Sequence, residues 1–369
     1  MDSSTPRSLG YRMPAEWNAH AATWLAWPHK EASWPGKFEP IPRIYAELVK
    51  ALAPFEHVNI LAGEPYLVQQ AQALIGNVLN VTFWGIPTND AWIRDHGPTF
   101  LLGPPDQPPA LIDWGYNAWG GKYPPFELDD VVPQHIARLQ SRRVFEPGII
   151  LEGGAIEVNG HGTLLTTEQC LLNPNRNPQL SRAAVERYLC DYFNVTNILW
   201  LGRGIEGDDT DGHIDELARF VNPTTVVAPL EDDEHDANYE PLRENFDRLK
   251  SMQDQNGQPI EVVPLPMPRA MFYEGQRLPA SYCNFYIANG VVIAPVFEDP
   301  SDAPAMDLLR SLFPGREVIE LPARDLVWGL GAFHCITQQE AAVETSPETS
   351  DSYQEYLVSR MLEQSDVNL

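Results

Sequence analysis

The chain has 369 residues, 43% hydrophobic and 10% aromatic, with a formal net charge of −26. That length holds one large domain or two medium ones. The charge argues against a nucleic-acid-binding surface, which needs a basic footprint, and suits a cationic ligand drawn into an acidic cleft. The N-terminal run MDSSTPRSLGYRMPAEW lacks an apolar core, so no signal peptide is read. No stretch approaches the ~18 uninterrupted apolar residues of a membrane span. Four widely spaced cysteines (Cys170, Cys190, Cys283, Cys335) form no CxxC pair. A cytoplasmic chain with reduced thiols is the expectation.

In chain order, residues 41–53 place Ile44, Leu48, Val49 and Leu52 at helical spacing, and Pro54 stops the helix. Residues 57–63 read as a strand, 65–75 as a helix and 78–84 as another strand. The rhythm then returns. LLTT (164–167) precedes a helix over 180–193, and NILWL (197–201) follows as a strand. IDELARFV (214–221) and TTVVAPL (224–230), split by Asn222-Pro223, predict a hairpin. A helix over 235–252 leads to the strand 259–265. Residues 284–297 contain Asn289-Gly290, a hairpin signal, and are followed by a helix over 302–313 and a strand over 316–321.

Hairpin, helix and strand thus recur at roughly 60–80 residue spacing, which predicts a modular α/β architecture rather than a doubly wound sheet. No linker imposes a boundary, so residues 1–340 read as one domain. Residues 341–369 differ, being an acidic loop followed by an amphipathic helix over 352–364 with Tyr353, Tyr356, Leu357 and Met361 on one stripe. That helix is expected to dock on its own domain, with a homodimer contact as the alternative.

Four segments combine reactive or acidic side chains with glycine. The first, TNDAWIRDHGP (88–98), offers Asp90, Trp92, Arg94, Asp95 and His96. The second, ILEGGAIEVNG (150–160), puts Glu152 at a strand end before paired glycines, where backbone can approach a ligand closely. The third, GIEGDDTDGHIDELARFV (204–221), carries Asp208, Asp209, Asp211, His213 and Asp215. If 213–220 is a strand, His213 and Asp215 share one face. The three preceding aspartates are expected to serve mainly as turn residues.

The fourth segment is GLGAFHCITQQ (329–339), in which Cys335 is a candidate nucleophile. A buried structural thiol is the plain alternative, but the glycines, His334, Thr337 and two glutamines argue against an apolar setting. Strand alternation would put His334 opposite the thiol, so the distant His213 is the better base. His213 and Asp215 also make half of a metal site, but no HExxH or CxxC partner completes it. No G-x-x-x-x-G-K-[ST] run is present.

At these residues the chain resembles the agmatine deiminase family, within the Porphyromonas-type peptidylarginine deiminase group of guanidine-modifying enzymes. The resemblance runs from about residue 10 to 340. Its segments are RMPAEWNAHAATWLAWP (12–28), NDAWIRDHGPTF (89–100), DWGYNAWGGKYPP (113–125), EGGAIEVNGHGTLLTTEQCLLNPNRNP (152–178), GDDTDGHIDELARFV (207–221), LPASYCNFYIANG (278–290) and GLGAFHCITQQ (329–339). It implies a pentein fold, five ββαβ units around a pseudo-fivefold axis with a central active site. It also implies Cys335 as nucleophile, His213 as acid/base, Asp95 and Asp215 as guanidinium ligands, Glu152 as support for both, and Trp92 lining the substrate channel. Agmatine is the implied substrate, and no metal or organic cofactor is implied. Peptidylarginine deimination, amidino transfer to an amine, a guanidine-binding protein and a metal-dependent hydrolase are the alternatives. Two departures fall near the site: Ala155 stands where the family often has serine, and GLGAFHC (329–335) replaces a GGNIHC-like run.

Overall fold

Two-residue loops build the hairpins of the last two blades. Gly290 takes φ +67° between Tyr286–Ala288 and Val291–Val296, where Ala288 pairs with Val291. At the other, the Asn222 side chain accepts from the Thr224 and Thr225 amides and turns Arg219–Asn222 into Thr225–Leu230. After each hairpin an amphipathic helix covers the new strand pair. Ile41–Leu52 plays this part in the first blade, which has no such hairpin, and buries Ile41, Tyr45, Leu48, Val49 and Leu52. The chain then returns as a strand parallel to the second one.

The computed structural model describes residues 4–105 and 107–343, and this unit occurs five times among them. The second blade comprises Thr99–Leu101, Ala110–Ile112, helix Val132–Gln140 and Arg143–Phe145. The third comprises Glu157–Val158, Thr163–Thr167, helix Arg182–Phe193 and Asn197–Leu201. The fourth adds helix Tyr239–Ser251 and Glu261–Pro266 to its hairpin, and the fifth adds Asp302–Leu312 and Glu317–Pro322. The first blade is closed by the end of the described chain: Gln338–Ala341 pairs antiparallel with His20–Ala26, which runs parallel to His57–Leu61. Helix Pro65–Ile75 and strand Val81–Trp84 extend that sheet by one strand. This is the five-bladed pentein architecture that the resemblance implies. No helix among the described residues is long and apolar enough to cross a membrane. The amphipathic tail helix expected over 352–364 lies outside the described residues.

Two segments depart from the expected strands. Residues 213–220 are not continuous strand: Ile214–Glu216 is a 3-10 turn, and the strand starts at Arg219. Local bonds win there, because the Leu217 and Ala218 amides both donate to the Ile214 carbonyl. The Asp208 carboxylate takes the amides of Gly212 and His213. Residues 333–336 likewise form turns, so strand alternation does not govern His334 and Cys335.

At the centre of the ring all five blades meet a buried polar hub. Glu16, ahead of the first blade, accepts from Arg219 Nη2 at 2.8 Å, from the Ile287 amide at 2.8 Å and from His334 Nε2 at 2.8 Å. Arg219 also donates to Glu157 at 3.1 Å and to the carbonyls of Cys283 and Phe285. Arg94 donates to the His334 carbonyl at 3.2 Å and to Gln339 at 2.7 Å, linking the entry of the second blade to the closing strand. Burial opposes ionisation of Glu16, but Arg219, His334 and Arg94 outweigh it and hold the carboxyl well below its usual range.

Breaking such a network leaves uncompensated buried charge. Arg219→Met strands Glu16 and Glu157 together, so urea denaturation is expected to show a loss of about 3–5 kcal/mol of stability.

Candidate active site

The site lies beside this hub and is assembled from the connections between blades. A short helix, Ile93–His96, carries Asp95. Its two carboxylate oxygens are fixed from opposite sides, Oδ1 by the Gly154 amide at 2.9 Å and Oδ2 by Trp119 Nε1 at 2.9 Å. Next comes Glu152, followed by the 3-10 turn Gly153–Ala155. Gly154 is required there by space: a Cβ on it would lie 2.6 Å from His213 Nδ1, 2.8 Å from Asp95 Oδ1 and 3.2 Å from Asp215 Oδ2. The backbone thus passes through the point where the three side chains converge.

His213 precedes the Ile214–Glu216 turn, and Asp215 stands within it, so the turn aims both side chains inward. His213 Nδ1 is 3.6 Å from Asp95 Oδ1. Cys335 follows Leu330, which takes φ +70°, and Gly331. Its Sγ accepts from Asn284 Nδ2 at 3.1 Å and donates to Asp215 Oδ2 at 3.6 Å. Asn284 Oδ1 takes the amides of Ala332 and His334, both at 3.1 Å, so one amide side chain shapes the loop and touches the sulfur. Trp92 stacks on Trp34 with ring centroids 5.1 Å apart and packs against Gly329 and Gly331. Cys335 is 8% exposed and set among polar groups, not in a purely apolar pocket.

The six residues expected from sequence therefore surround one buried region, with two corrections to the local geometry. His334 is not turned away from the thiol's surroundings. Its Nδ1 lies 2.7 Å from Asp215 Oδ2, the oxygen that Cys335 also meets. It is still a poor base, because Glu16 holds its Nε2 and both ring nitrogens are engaged. Glu152 is not at a strand end, and its Oε1 is taken by Arg176 Nε at 2.6 Å. Asp208 serves the turn, as expected, whereas Asp211 also pairs with Arg176 and Lys122.

Asn284, Trp119, Arg176 and Glu216 went unassigned by sequence reasoning. All four lie inside segments that carry the family resemblance, but side-chain type alone did not show which residue faces inward. Glu216 follows Asp215 directly and is 3% exposed.

Burial and like charge govern the electrostatics. Asp95 is pushed up to about 6, mainly by burial and further by Asp215 and Glu152, with His213 and Trp119 pulling the other way. Burial also opposes ionisation of Asp215, but the His334 hydrogen bond and charge outweigh it and lower its pKa. For His213, burial disfavours the cation, yet Asp95, Cys170 and Asp215 hold its pKa well above the ordinary histidine value. The Cys335 thiol is raised well above its usual value by burial and by Asp215, Glu216 and Asp95. Glu216 is raised by burial and by Asp215.

Several buried polar atoms have no hydrogen-bond partner among the described residues: Asp215 Oδ1, Glu216 Oε2, Glu152 Oε2 and His213 Nε2. Three of them are acceptors, so the region is built for a ligand rich in donors and positive charge. Two sets of metal-type donors also converge: Asp215, Glu216 and Cys335 within 4.8 Å of one another, and Glu152, Cys170 and His213 likewise.

A five-bladed ring with a thiol, an imidazole and carboxylates at its centre defines the class as a pentein enzyme. The Porphyromonas-type peptidyl-arginine deiminase family matches over residues 12–341, and the chain belongs to that family. It is 40% identical to an agmatine deiminase of Pseudomonas aeruginosa, with 92% of this chain and 98% of that protein covered. An agmatine deiminase structure from Enterococcus faecalis superposes with a TM-score of 0.87 at 34% identity, covering 92% of this chain and 98% of that one. A C. jejuni agmatine deiminase solved with substrate bound gives 0.83 at 32% identity, covering 90% and 97%.

Two outcomes are expected of this geometry. Gly154→Ala places a methyl group between His213 and Asp95 and should lower kcat/KM by about 100-fold or more, the scale of a misplaced catalytic group, with an unchanged circular dichroism spectrum. If Asp95 must be ionised to hold a cationic ligand, kcat/KM should fall with decreasing pH through about 6, approaching about tenfold per pH unit below it. The limb should be weaker in kcat, since bound cation favours the carboxylate.

Proposed function

We propose that the chain hydrolyses agmatine to N-carbamoylputrescine and ammonia through a covalent intermediate on Cys335. The observation that carries this reading is the Cys335 thiol 3.6 Å from Asp215, beside buried acceptors Asp215 Oδ1 and Glu216 Oε2 that lack partners among the described residues. A guanidinium is a planar cation with a pKa above ~12 and offers its N–H groups in a fork. Asp95 and Asp215 bind those edges and localise the charge, leaving the central carbon open to sulfur. Trp92 lines the approach of the aliphatic chain.

The free site disfavours the thiolate because its neighbours are carboxylates. A bound cation reverses that balance and lowers the thiol pKa where the substrate stands. The thiol proton passes to solvent, and the thiolate sulfur bonds to the guanidinium carbon as the C=N π pair moves onto nitrogen, giving a neutral tetrahedral adduct. His213, held protonated by Asp95, donates its proton to the departing nitrogen, and ammonia leaves with the C–N bond pair. The product of this step is a thiouronium on Cys335. Neutral His213 next takes a proton from water, whose oxygen attacks the same carbon. Collapse breaks the C–S bond and releases the urea-type product, with the proton returned to sulfur. Glu152, anchored by Arg176, supports the histidine side of the site.

The family description favours peptidyl-arginine as the second reading. Deep burial of the thiol and its carboxylates supports a slender free guanidine over a folded chain. Four free cysteines support a reducing, cytoplasmic setting.

Ammonia release from agmatine, free arginine and an arginyl peptide decides the substrate. Turnover of agmatine well above the other two is expected, and release from the peptide alone would overturn the proposal in favour of the second reading. Cys335→Ala should reduce turnover by at least about 10³-fold. With a slow guanidine substrate, intact-protein and peptide mass spectrometry should find an amidino adduct on Cys335.

A further inference from the structure

Cys170 has no part in that reaction, yet it sits against its acid/base. It belongs to the short helical turn Glu168–Leu171, whose start is fixed by Thr167: the Cys170 amide donates to Thr167 Oγ1 at 3.2 Å, and Thr167 Oγ1 donates to the Gly212 carbonyl at 2.6 Å. The turn carrying Cys170 is thereby tied to the residue preceding His213. One donor atom each from Glu152, Cys170 and His213 lies within 4.8 Å of the other two. All three side chains are at least 99% buried. Two of their polar atoms, Glu152 Oε2 and His213 Nε2, have no hydrogen-bond partner among the described residues. Arg176 occupies Glu152 Oε1, which orients the carboxylate and leaves Oε2 for another partner.

From this arrangement we infer that Glu152, Cys170 and His213 form an inhibitory site for a thiophilic divalent cation such as Zn²⁺. A thiolate, an imidazole and a carboxylate make a donor set of the kind that binds zinc at tetrahedral sites, with a fourth position left for water. It is a poor set for Mg²⁺ or Ca²⁺, which take hard oxygen ligands. Charge also balances. The carboxylate and thiolate neutralise the ion, with the thiol proton and any proton on His213 released to solvent on coordination. With one ring nitrogen on the metal, the imidazole can no longer cycle between imidazolium and neutral base. The ion would therefore stop turnover without touching Cys335. This inhibitory consequence rests on the acid/base role proposed for His213, whereas the existence of the site does not.

The test uses the full chain with the metal alone. In the Cys335→Ala protein, which removes the other candidate donor set, titration with Co²⁺ should give a thiolate-to-cobalt charge-transfer band at one equivalent. The band should vanish in the Cys335→Ala, Cys170→Ala double variant. With Cys335 intact, Cys170→Ser should raise the Zn²⁺ inhibition constant by at least about 100-fold, a larger loss than a supporting group alone gives. Persistence of the band without Cys170, its absence from the Cys335→Ala protein, or unchanged Zn²⁺ inhibition of Cys170→Ser would overturn the inference. The cobalt titration needs no turnover, so it decides even where Cys170→Ser impairs activity or the deiminase reading fails.

Discussion

Glu16 and Arg219 form the ion pair on which the rest of the molecule leans, because a buried charge pair is tolerable only when every remaining donor and acceptor is satisfied. Arg219 meets that condition with Glu16, Glu157 and two backbone carbonyls, and Glu16 with Arg219, Ile287 and His334. These partners come from different blades. A displacement of any of these blades therefore breaks a charged hydrogen bond in a low-dielectric interior. The ring is closed by strand pairing at its rim and by this network at its centre.

The hub also reaches the chemistry through His334. His334 carries Glu16 on one ring nitrogen and Asp215 on the other. Asp215 is thus kept ionised and oriented by a histidine that is itself unavailable for proton transfer. Next to it, Asp95, Glu216 and Cys335 are all shifted toward their neutral forms by burial and mutual repulsion. Such a site is uncomfortable without positive charge, and a cation relieves it. On the proposed reaction, substrate recognition and thiol activation are two consequences of one electrostatic condition.

Much of this was legible in the chain. The hairpin signal at Asn289-Gly290 was read correctly because a two-residue turn is a local choice. So were the helix at 41–53 and the strand at 197–201, since periodicity reports burial of one face. Where local side-chain bonds compete with strand geometry the reading failed, as at 213–220, whose cap from Asp208 replaced the ladder. His334 was misplaced for the same reason.

The sequence by itself determined the types of chemical group available, the repeated hairpin–helix–strand rhythm and, through its long ordered motifs, the family. Composition and local pattern suffice for these because they depend on neighbours in the chain. Only the tertiary structure decided that Glu216 joins the expected acids at the site, that Asn284 touches the sulfur, that His334 is locked between two carboxylates and that Cys170 adjoins His213. Those facts depend on contacts between residues tens to hundreds apart, and they arise only when five blades close on one buried centre.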